Sequence, residues 1–431
     1  MTGSEDRLEQ GGQERSQVPA RIVVSALPGE VRAACLRADR LEDLLILRAD
    51  HPRMMGNIYQ GRVLEISPSL DAAFVDIGLA RPGFLPRGEA PGKKQLGRAL
   101  SDGDAVTVKV VREASEDKGV RLTSRIDTPP DDLATLATNA KVPSLLMEGD
   151  DPLLQLIARQ GPIDSIICDD SETCNRLKHR IAALGGDNSL VVFDPAPRPL
   201  FEQEGAEEQI ESLLGPYVEL PGGGSLLIEP VRTLTAIDVN LGAMAASGTA
   251  QAQALTVNLE AAVEIARQLR LRAIAGLIVV DLLELREKSA RARVIATLRK
   301  ALEADDQPCQ VAGMSPSGLL EMTRRRGGPP LADILTEPAG EQGWGRQRDA
   351  VTLAFGALRG ALGEADAAPG CEVVITAPSV VLAALREGAA AEARQVVERR
   401  LGRALRLETQ LPVATKTAHT SRTVEVLAIR R

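Results

Sequence analysis

Aromatic side chains are scarce in this sequence of 431 residues, where Phe, Tyr and Trp together make up 2%. The five cysteines form no Cys-x-x-Cys pair, which argues against a disulfide framework or a structural zinc site. No apolar run is long enough to span a membrane, because residues 276–285 are interrupted by Asp281 and Glu284. The first twenty residues are polar and lack the apolar region of a signal peptide. We therefore expect a cytoplasmic protein with no membrane partner and a disordered tail over residues 1–20.

A general excess of basic charge is absent too. The net charge of -8 argues against a protein that coats nucleic acid indiscriminately. A local exception lies between Arg81 and Arg125, where ten Lys or Arg residues stand against six Asp or Glu residues. This segment is therefore positive within a chain that is acidic overall.

The positive segment belongs to a longer stretch that predicts a small barrel. Closely spaced short strands suit a barrel of the OB type, which binds single-stranded nucleic acid with aromatic platforms and basic side chains. Five strand candidates, separated by Gly, Pro and Ser, occupy residues 57–66, 71–77, 83–86, 105–111 and 120–124.

Several of the few aromatic residues fall in this predicted barrel, namely Tyr59, Phe74 and Phe84. Phe74 and Phe84 are candidates for stacking on bases, with Arg112 and Lys118 meeting phosphates. The simpler interpretation is that both phenylalanines fill the barrel core. The sequence alone does not choose between the two.

A second candidate site lies in residues 233–281, which predict a strand, a helix and a strand. The first strand ends at Asp238 and Asn240, the helix covers about 257–272, and the second strand ends at Asp281. Side chains two apart on a strand share a face, and a right-handed crossover would place the two strands side by side. The three oxygen-bearing side chains would then converge at the carboxyl edge of the sheet, where open α/β sheets bind ligands.

Magnesium suits such a cluster. It takes hard oxygen ligands, needs only one or two carboxylates, and keeps waters that can be activated or replaced by phosphate oxygens. The simpler interpretation is that Asp238 and Asn240 cap the strand with turn hydrogen bonds, and spacing alone favours it.

The rest of the chain predicts further helices and strands. We expect a helix over residues 201–213, a hairpin over 217–229 and a long basic helix over 288–303. A strand follows at 310–314, then a helix at 317–326 that ends in three arginines. From about residue 349, a helix, a strand, a helix and two strands predict a separate α+β unit.

Several motifs in one order resemble the RNase E/G family of bacterial endoribonucleases. The similarity is strong over residues 55–126 and 232–326 and weaker elsewhere. The motifs are Asn57-Ile-Tyr-Gln-Gly-Arg-Val, Pro68-Ser-Leu-Asp-Ala-Ala-Phe-Val-Asp-Ile-Gly, Gly83-Phe-Leu-Pro, Leu234-Thr-Ala-Ile-Asp-Val-Asn, Asn258-Leu-Glu-Ala-Ala, Glu264-Ile-Ala-Arg-Gln-Leu-Arg-Leu-Arg, Gly276-Leu-Ile-Val-Val-Asp and Gly318-Leu-Leu-Glu-Met-Thr-Arg.

The resemblance implies a multidomain fold of α/β and α+β parts. It implies an RNase H-like domain from residues 21–54 and 127–230, with an OB-fold RNA-binding barrel at 55–126 inserted into it. A DNase I-like catalytic domain at 231–338 and a small C-terminal α+β domain at 345–431 would follow.

The resemblance also implies roles for the candidate residues. The positions of Asp238 and Asp281 bind magnesium in the family, and that of Asn240 assists, which reverses the preference for strand caps. Phe74 and Phe84 fall on base-contacting positions. Two basic RNA-contacting positions match Arg112, which is a Lys in relatives, and Lys118.

The sequence departs from the family in three places. Relatives carry a zinc-binding Cys-Pro-x-Cys element that joins two protomers, but residues 327–346 contain no cysteine, so a zinc-linked dimer is not expected. The segment that senses a 5′-monophosphate in relatives is shortened to about 35 residues here and lacks its Arg-Thr pair. The loop after Asn240, residues 241–257, is rich in alanine where relatives carry polar and charged residues.

The hypothesis is a magnesium-dependent endoribonuclease that cleaves single-stranded RNA in rRNA or mRNA processing or decay, leaving 5′-phosphate and 3′-hydroxyl ends. RNA would be held against the barrel, which would bring a scissile phosphate to the metal. The alternative is a non-catalytic or weakly active RNA-binding paralogue, which the altered loop and the missing zinc and sensor elements favour.

Overall fold

A computed structural model describes most of the chain and divides it into two units. The described residues are 18–91, 100–114, 118–127, 136–138, 140–195, 199–242, 249–339, 345–410 and 424–429. The second unit consists of the described residues in Arg53–Asp151 and Arg325–Pro329, and the first unit holds the others. Residues 1–17 of the predicted tail lie outside the described ranges, as do residues 243–248 of the alanine-rich loop.

The secondary structure mixes strands and helices throughout the described ranges. The strands are β1 (Ala20–Leu27), β2 (Glu30–Arg37), β3 (Arg40–Arg48), β4 (Ile58–Ser67), β5 (Ala72–Asp76), β6 (Gly83–Pro86), β7 (Ala105–Arg112), β8 (Arg121–Thr123), β9 (Ser144–Met147), β10 (Ile163–Cys168), β11 (Val191–Phe193), β12 (Tyr217–Glu219), β13 (Ser225–Pro230), β14 (Thr235–Asn240), β15 (Gly276–Asp281), β16 (Cys309–Met314), β17 (Leu320–Arg324), β18 (Thr336–Pro338), β19 (Arg346–Arg348), β20 (Glu372–Ala377), β21 (Arg406–Thr409) and β22 (Glu425–Ile429). The helices are α1 (Pro152–Arg159), α2 (Ser171–Ala183), α3 (Leu200–Gln203), α4 (Ala206–Leu214), α5 (Ala250–Leu271), α6 (Lys288–Leu302), α7 (Leu331–Leu335), α8 (Ala350–Ala367), α9 (Ser379–Arg386) and α10 (Ala391–Leu401).

The first unit begins with a five-stranded sheet in the order β11-β10-β1-β2-β3. Strands β1 to β3 are antiparallel neighbours, whereas β1, β10 and β11 run parallel. Helices cover both faces of this sheet. Successive apolar side chains of β1 point to opposite faces, and those on each face are buried. Ile22 and Val24 pack with α1 and α2, and Val23 packs with α3, α4 and α7.

A six-stranded sheet follows in the order β12-β13-β14-β15-β17-β16. Helix α5 connects the parallel strands β14 and β15, so the order of strand, helix and strand predicted over residues 233–281 is confirmed. The helix begins at Ala250, seven residues before its predicted start, so residues 250–257 are helical and the prediction of a loop there is wrong. Ile237, Val239, Ile278 and Val280 belong to one core with apolar residues of α5 and α6. These helices therefore cover one face of the sheet.

The helix predicted over residues 317–326 is wrong. Residues 320–324 form β17, because Leu320, Met322 and Arg324 alternate inward while the side chains between them face outward. Arg324 is buried and makes two hydrogen bonds, each 2.8 Å long, to the Asp305 carboxylate. Its charge is thus bound in the core and does not complement a helix end.

The C-terminal part of the first unit packs a three-stranded sheet, in the order β21-β20-β22, against helices. The predicted order of helix, strand, helix and two strands is extended by one element, since both α9 and α10 stand between β20 and β21. No helix in the described part of the chain is both long and apolar enough to cross a membrane.

The second unit contains a closed five-stranded barrel. Strand pairing runs β4-β5-β6-β8-β7 and returns from β7 to β4, while β9 adds to the first half of β4. Val63, Val75, Leu85, Val108 and Leu122 fill the interior. The OB-like barrel predicted from strand spacing is therefore consistent with the structure. The domain boundaries stay predictions, and β9 pairs with the barrel although the sequence placed it in the neighbouring domain.

Candidate metal site and candidate nucleic-acid surface

Asp238, Asn240 and Asp281 lie together at the carboxyl edge of the six-stranded sheet. Strands β14 and β15 are parallel neighbours, and Asp238 is the register partner of Asp281. Adjacent strands are about 4.8 Å apart, so the two carboxylates are within reach of one small ion. Asn240 follows on the same face, and its Nδ2 donates a hydrogen bond of 2.9 Å to Oδ2 of Asp238.

The sheet face that carries these side chains is open. Asp238 is partly exposed, and Asn240 and Asp281 are exposed, whereas Ile237 and Val239 between them are buried against the helices. The alternation of β14 thus separates a core face from a polar face. A chain-like substrate can approach the carboxylates from the side that α5 and α6 do not cover.

Helix α5 fixes the loop that follows Asp281. Asn258 is fully buried, and its Nδ2 donates to the carbonyl oxygen of Leu283 at 2.8 Å while its Oδ1 accepts from the Leu283 N–H at 3.0 Å. About two turns earlier in the helix, Gln251 accepts a 2.9 Å hydrogen bond from the Arg286 N–H. The position of Asp281 therefore depends on side chains that lie in the crossover helix.

The donor set fits magnesium better than zinc. Within the described ranges, no group of three His, Cys, Asp or Glu side chains is placed to hold a metal ion. Two carboxylates and an amide oxygen are hard ligands, and magnesium fills its remaining positions with water and substrate phosphate. Zinc sites in proteins take three or four ligands, with His and Cys prominent.

The cysteines do not supply a competing metal site. All five are free, and Cys35, Cys168, Cys174 and Cys371 are buried. Burial raises the pKa of Cys35 and of Cys168 to about 12, so these thiols stay protonated and poorly suited to metals. Residues 340–344 lie outside the described ranges.

Phe74 and Phe84 lie on the outside of the barrel. They are register partners on β5 and β6, with ring centroids 5.9 Å apart and planes inclined at 67°. Both rings are partly exposed, whereas the neighbouring Ala73 and Leu85 are fully buried. The interpretation in which the two phenylalanines fill the core is therefore wrong for this structure.

Two arginines lie on the next two strands of the barrel, in register with Phe84. Arg121 on β8 is the register partner of Phe84, and Arg112 on β7 is the register partner of Arg121. We call Phe74, Phe84, Arg121 and Arg112 the aromatic-cation row. Lys118 is exposed in the segment before β8 and outside the row, and residues 115–117 beside it are not among the described residues.

Arg121 and Asn258 are the residues that sequence reasoning missed. Arg121 alternates with the buried Val120 and Leu122, which marks it as an outward position once β8 is known. Its pairing with Phe84 joins strands 37 residues apart in sequence and follows from no local pattern. Asn258 belongs to one of the motifs that resemble the family. The sequence indicates a structural role for it because a polar residue occupies an apolar position of the helix.

The fold and the two sites define a multidomain α/β protein in which a closed OB-like barrel accompanies a sheet with paired carboxylates at its carboxyl edge. The model of the Ribonuclease E/G family matches residues 98–327. That match covers more than half of the sequence, and the chain belongs to this family.

Individual relatives agree with this assignment. The chain is 30% identical to Ribonuclease E of Escherichia coli (strain K12) over 79% of its own length and 40% of the relative. It is 29% identical to Ribonuclease E of Haemophilus influenzae, over 79% of its own length and 45% of the relative. Ribonuclease G of Haemophilus influenzae is 25% identical over 78% of this chain and 86% of that protein. The chain thus spans less than half the length of these Ribonuclease E relatives.

A solved structure of an a/eIF2alpha-aDim2p-rRNA complex from Pyrococcus horikoshii OT3 matches 38% of this chain and 81% of that chain with 18% identity. The TM-score of 0.17 is too low to support any conclusion about fold.

Proposed function

We propose that this protein is a magnesium-dependent endoribonuclease that cleaves single-stranded RNA in the cytoplasm, in the processing or decay of rRNA or mRNA. The observation that carries the proposal is the register pairing of Asp238 with Asp281, with Asn240 on the same open face. The names of the relatives, Ribonuclease E and Ribonuclease G, supply the reaction class.

The proposed finer fold follows from the same resemblance. An RNase H-like domain is supported by the five-stranded sheet, in which β1 to β3 are antiparallel and β10 and β11 run parallel to β1. A DNase I-like domain is supported by the six-stranded sheet that α5 and α6 cover. A zinc-linked dimer is not part of the proposal, because the sequence has no cysteine at residues 327–346.

Each group of residues has its own part in the mechanism. Asp238 and Asp281 would hold the ion, and Asn240 orients the Asp238 carboxylate through its amide hydrogen bond. When bound, magnesium supplies positive charge to the scissile phosphate and lowers the pKa of a coordinated water. Water would attack the phosphorus in line with the 3′ oxygen, so that a P–O bond to water forms as the P–O3′ bond breaks. The 3′ oxygen would gain a proton as water loses one, which leaves a 5′-phosphate and a 3′-hydroxyl.

The barrel supplies the hold on the substrate. Phe74 and Phe84 offer two partly exposed ring surfaces on which bases can stack, a contact that tolerates any base. Arg112 and Lys118 would neutralise phosphates next to them, which makes binding depend on salt. The two sites therefore divide the work into binding in one unit and phosphodiester cleavage in the other.

Cleavage of a fluorescent A/U-rich single-stranded RNA, with magnesium or with EDTA, tests this function. We expect internal cleavage only with magnesium, and its loss in Asp238→Ala. RNA binding without cleavage by the wild-type protein would instead support the non-catalytic paralogue, to which the alanine-rich residues 241–257 point.

A further inference from the structure

Among the described residues, Arg121 on β8 makes no side-chain contact that would stabilise the fold. It is partly exposed on the outer face of the barrel, between the buried Val120 and Leu122. Within the described part of the chain, its guanidinium has no ion pair and no hydrogen bond. An arginine held in a strand beside an aromatic ring, with all its donors free, is suited to bind a ligand from solution.

Three other arginines of the barrel behave differently, because each of them binds an oxygen of the barrel itself. The contacts are from Arg62 Nη1 to the Gly103 carbonyl at 2.9 Å, from Arg87 Nε to Asp71 at 3.1 Å, and from Arg125 Nε to Glu89 at 3.7 Å. These three side chains support loops and strand ends. Arg112, the register neighbour of Arg121, likewise has no such contact within the described ranges.

The order of the row sets what Arg121 can reach. Phe84 lies on one side of it and Arg112 on the other, each one strand spacing or about 4.8 Å away. The aromatic half of the row suits bases, and the cationic half suits phosphates. Arg121 stands at the boundary, where the base and the backbone of one nucleotide would meet the protein together.

We propose that Arg121 is a further RNA-binding residue, which contacts the phosphate of the nucleotide whose base stacks on Phe84. This inference rests on the proposed binding of single-stranded RNA by the barrel. This contact would fix how the RNA strand lies on the barrel. Its bases would face Phe74 and Phe84, and its backbone would face Arg121 and Arg112. The row would thus position RNA as well as hold it.

The test measures RNA affinity against salt in the Asp281→Asn background, so that the RNA stays intact. The probe is the same fluorescent A/U-rich RNA. Each phosphate contact to a single strand contributes about 0.7 to the slope of log K against log salt. We expect Arg121→Gln to reduce the slope by about 0.7 and Arg121→Lys to keep it, because a lysine still neutralises a phosphate.

Arg62→Gln is the matched control, since Arg62 is an exposed arginine of the same barrel outside the row. Its slope should equal that of the background protein. Circular dichroism checks the fold of each variant, and Arg121→Ala serves as a second neutral variant if Arg121→Gln does not fold.

Combining Arg121→Gln with Phe84→Ala tests the assignment to one nucleotide. We expect the double variant to lose less affinity than the product of the two single losses, because both side chains contact the same nucleotide. Independent losses would contradict that placement.

The outcomes separate the inference from the proposed function. An unchanged slope in both neutral variants, with RNA binding intact, overturns the role of Arg121 and leaves the RNA-binding barrel standing. Absence of RNA binding in the background protein itself contradicts the proposed function.

Discussion

The two units use charge in opposite ways. In the first unit, arginines such as Arg324 are buried and bound by carboxylates, while Asp238 and Asp281 point to an open sheet face. In the barrel, carboxylates such as Asp71 are bound by arginines, while Arg121 keeps its donors free within the described ranges. Carboxylates without an ion pair suit a cation, and guanidinium groups without an ion pair suit phosphate. Under the proposed function, the first unit would bind a cation through these carboxylates, and the barrel would bind phosphate through these guanidinium groups.

The largest expected effect is a loss of stability on replacing Arg324, the arginine of the first unit that Asp305 binds. Arg324 donates to both oxygens of Asp305, whose side chain is fully buried, and to the Ile274 carbonyl at 2.9 Å. Arg324→Met leaves a buried carboxylate unpaired, which should lower the free energy of unfolding by about 3–5 kcal/mol in urea titrations. Arg121→Gln, its counterpart in the barrel, should change that free energy by no more than about 0.5 kcal/mol. Equal losses in the two variants would contradict the comparison.

Asn258 tests whether the carboxylate site depends on support from α5. Asn258→Ala removes both hydrogen bonds to the Leu283 backbone and leaves buried polar groups without partners, which should cost about 1–3 kcal/mol of stability. Because Leu283 lies two residues after Asp281, we also expect slower cleavage at saturating RNA. RNA affinity should stay unchanged, and a fluorescence titration beside the cleavage assay checks this.

The control for Asn258 is a helix position that faces solvent. Val263 on α5 is 44% exposed, so Val263→Ala should leave both cleavage and stability close to wild type. If Val263→Ala slowed cleavage as much as Asn258→Ala, the effect would belong to the helix in general.

Phe84 and its neighbour Leu85 separate binding from folding in the barrel. Phe84→Ala should weaken single-stranded RNA binding by about 1–3 kcal/mol, because one stacking surface is lost. Leu85→Ala removes a fully buried core side chain and should instead lower stability by about 2–5 kcal/mol. A titration with labelled RNA and a urea melt of each variant distinguish the two effects. Equal destabilisation by both changes would place Phe84 in the core.

The smallest expected effect is a change of stability with pH. It arises from Asp349, the carboxylate of the first unit that binds the buried Arg48. Burial raises the pKa of Asp349, but hydrogen bonds from Thr352 and Arg48 outweigh it and hold this pKa below its ordinary value. Such a carboxylate stabilises the fold above its unfolded pKa of about 3.9, and the stabilisation is lost as pH falls through the lower folded pKa. The stability difference between wild type and Asp349→Asn should therefore be constant above about pH 5 and shrink below about pH 4. Urea titrations across this range measure it, and a difference that grows on acidification would contradict the sign.

Local patterns were enough to predict much of the carboxylate site. The strand periods around Asp238 and Asp281 and the helix period between them are local features, and the hand of the crossover then places the strands side by side. The resemblance to a known family supplied the preference for metal binding over strand caps. Those steps need no knowledge of distant contacts.

Distant contacts explain what the sequence did not reveal. β17 was predicted as a helix because its buried Arg324 has its partner, Asp305, 19 residues away, and the three arginines looked like a helix end. The aromatic-cation row depends on the parallel pairing of β6 with β8, which is a property of barrel closure. Register between strands that are far apart in sequence is set by the whole fold, so neither feature has a local signature.

Two variants test most directly whether RNA binding and RNA cleavage belong to different sites. Binding and cleavage of the same labelled RNA would be measured for Asp281→Asn and Phe84→Ala in magnesium. The account predicts that Asp281→Asn binds RNA like the wild type without cleaving it, and that Phe84→Ala binds weakly but cleaves at the wild-type rate once RNA is saturating. Wild-type cleavage by Asp281→Asn would contradict the account, because the edge of the six-stranded sheet would then not be the active site.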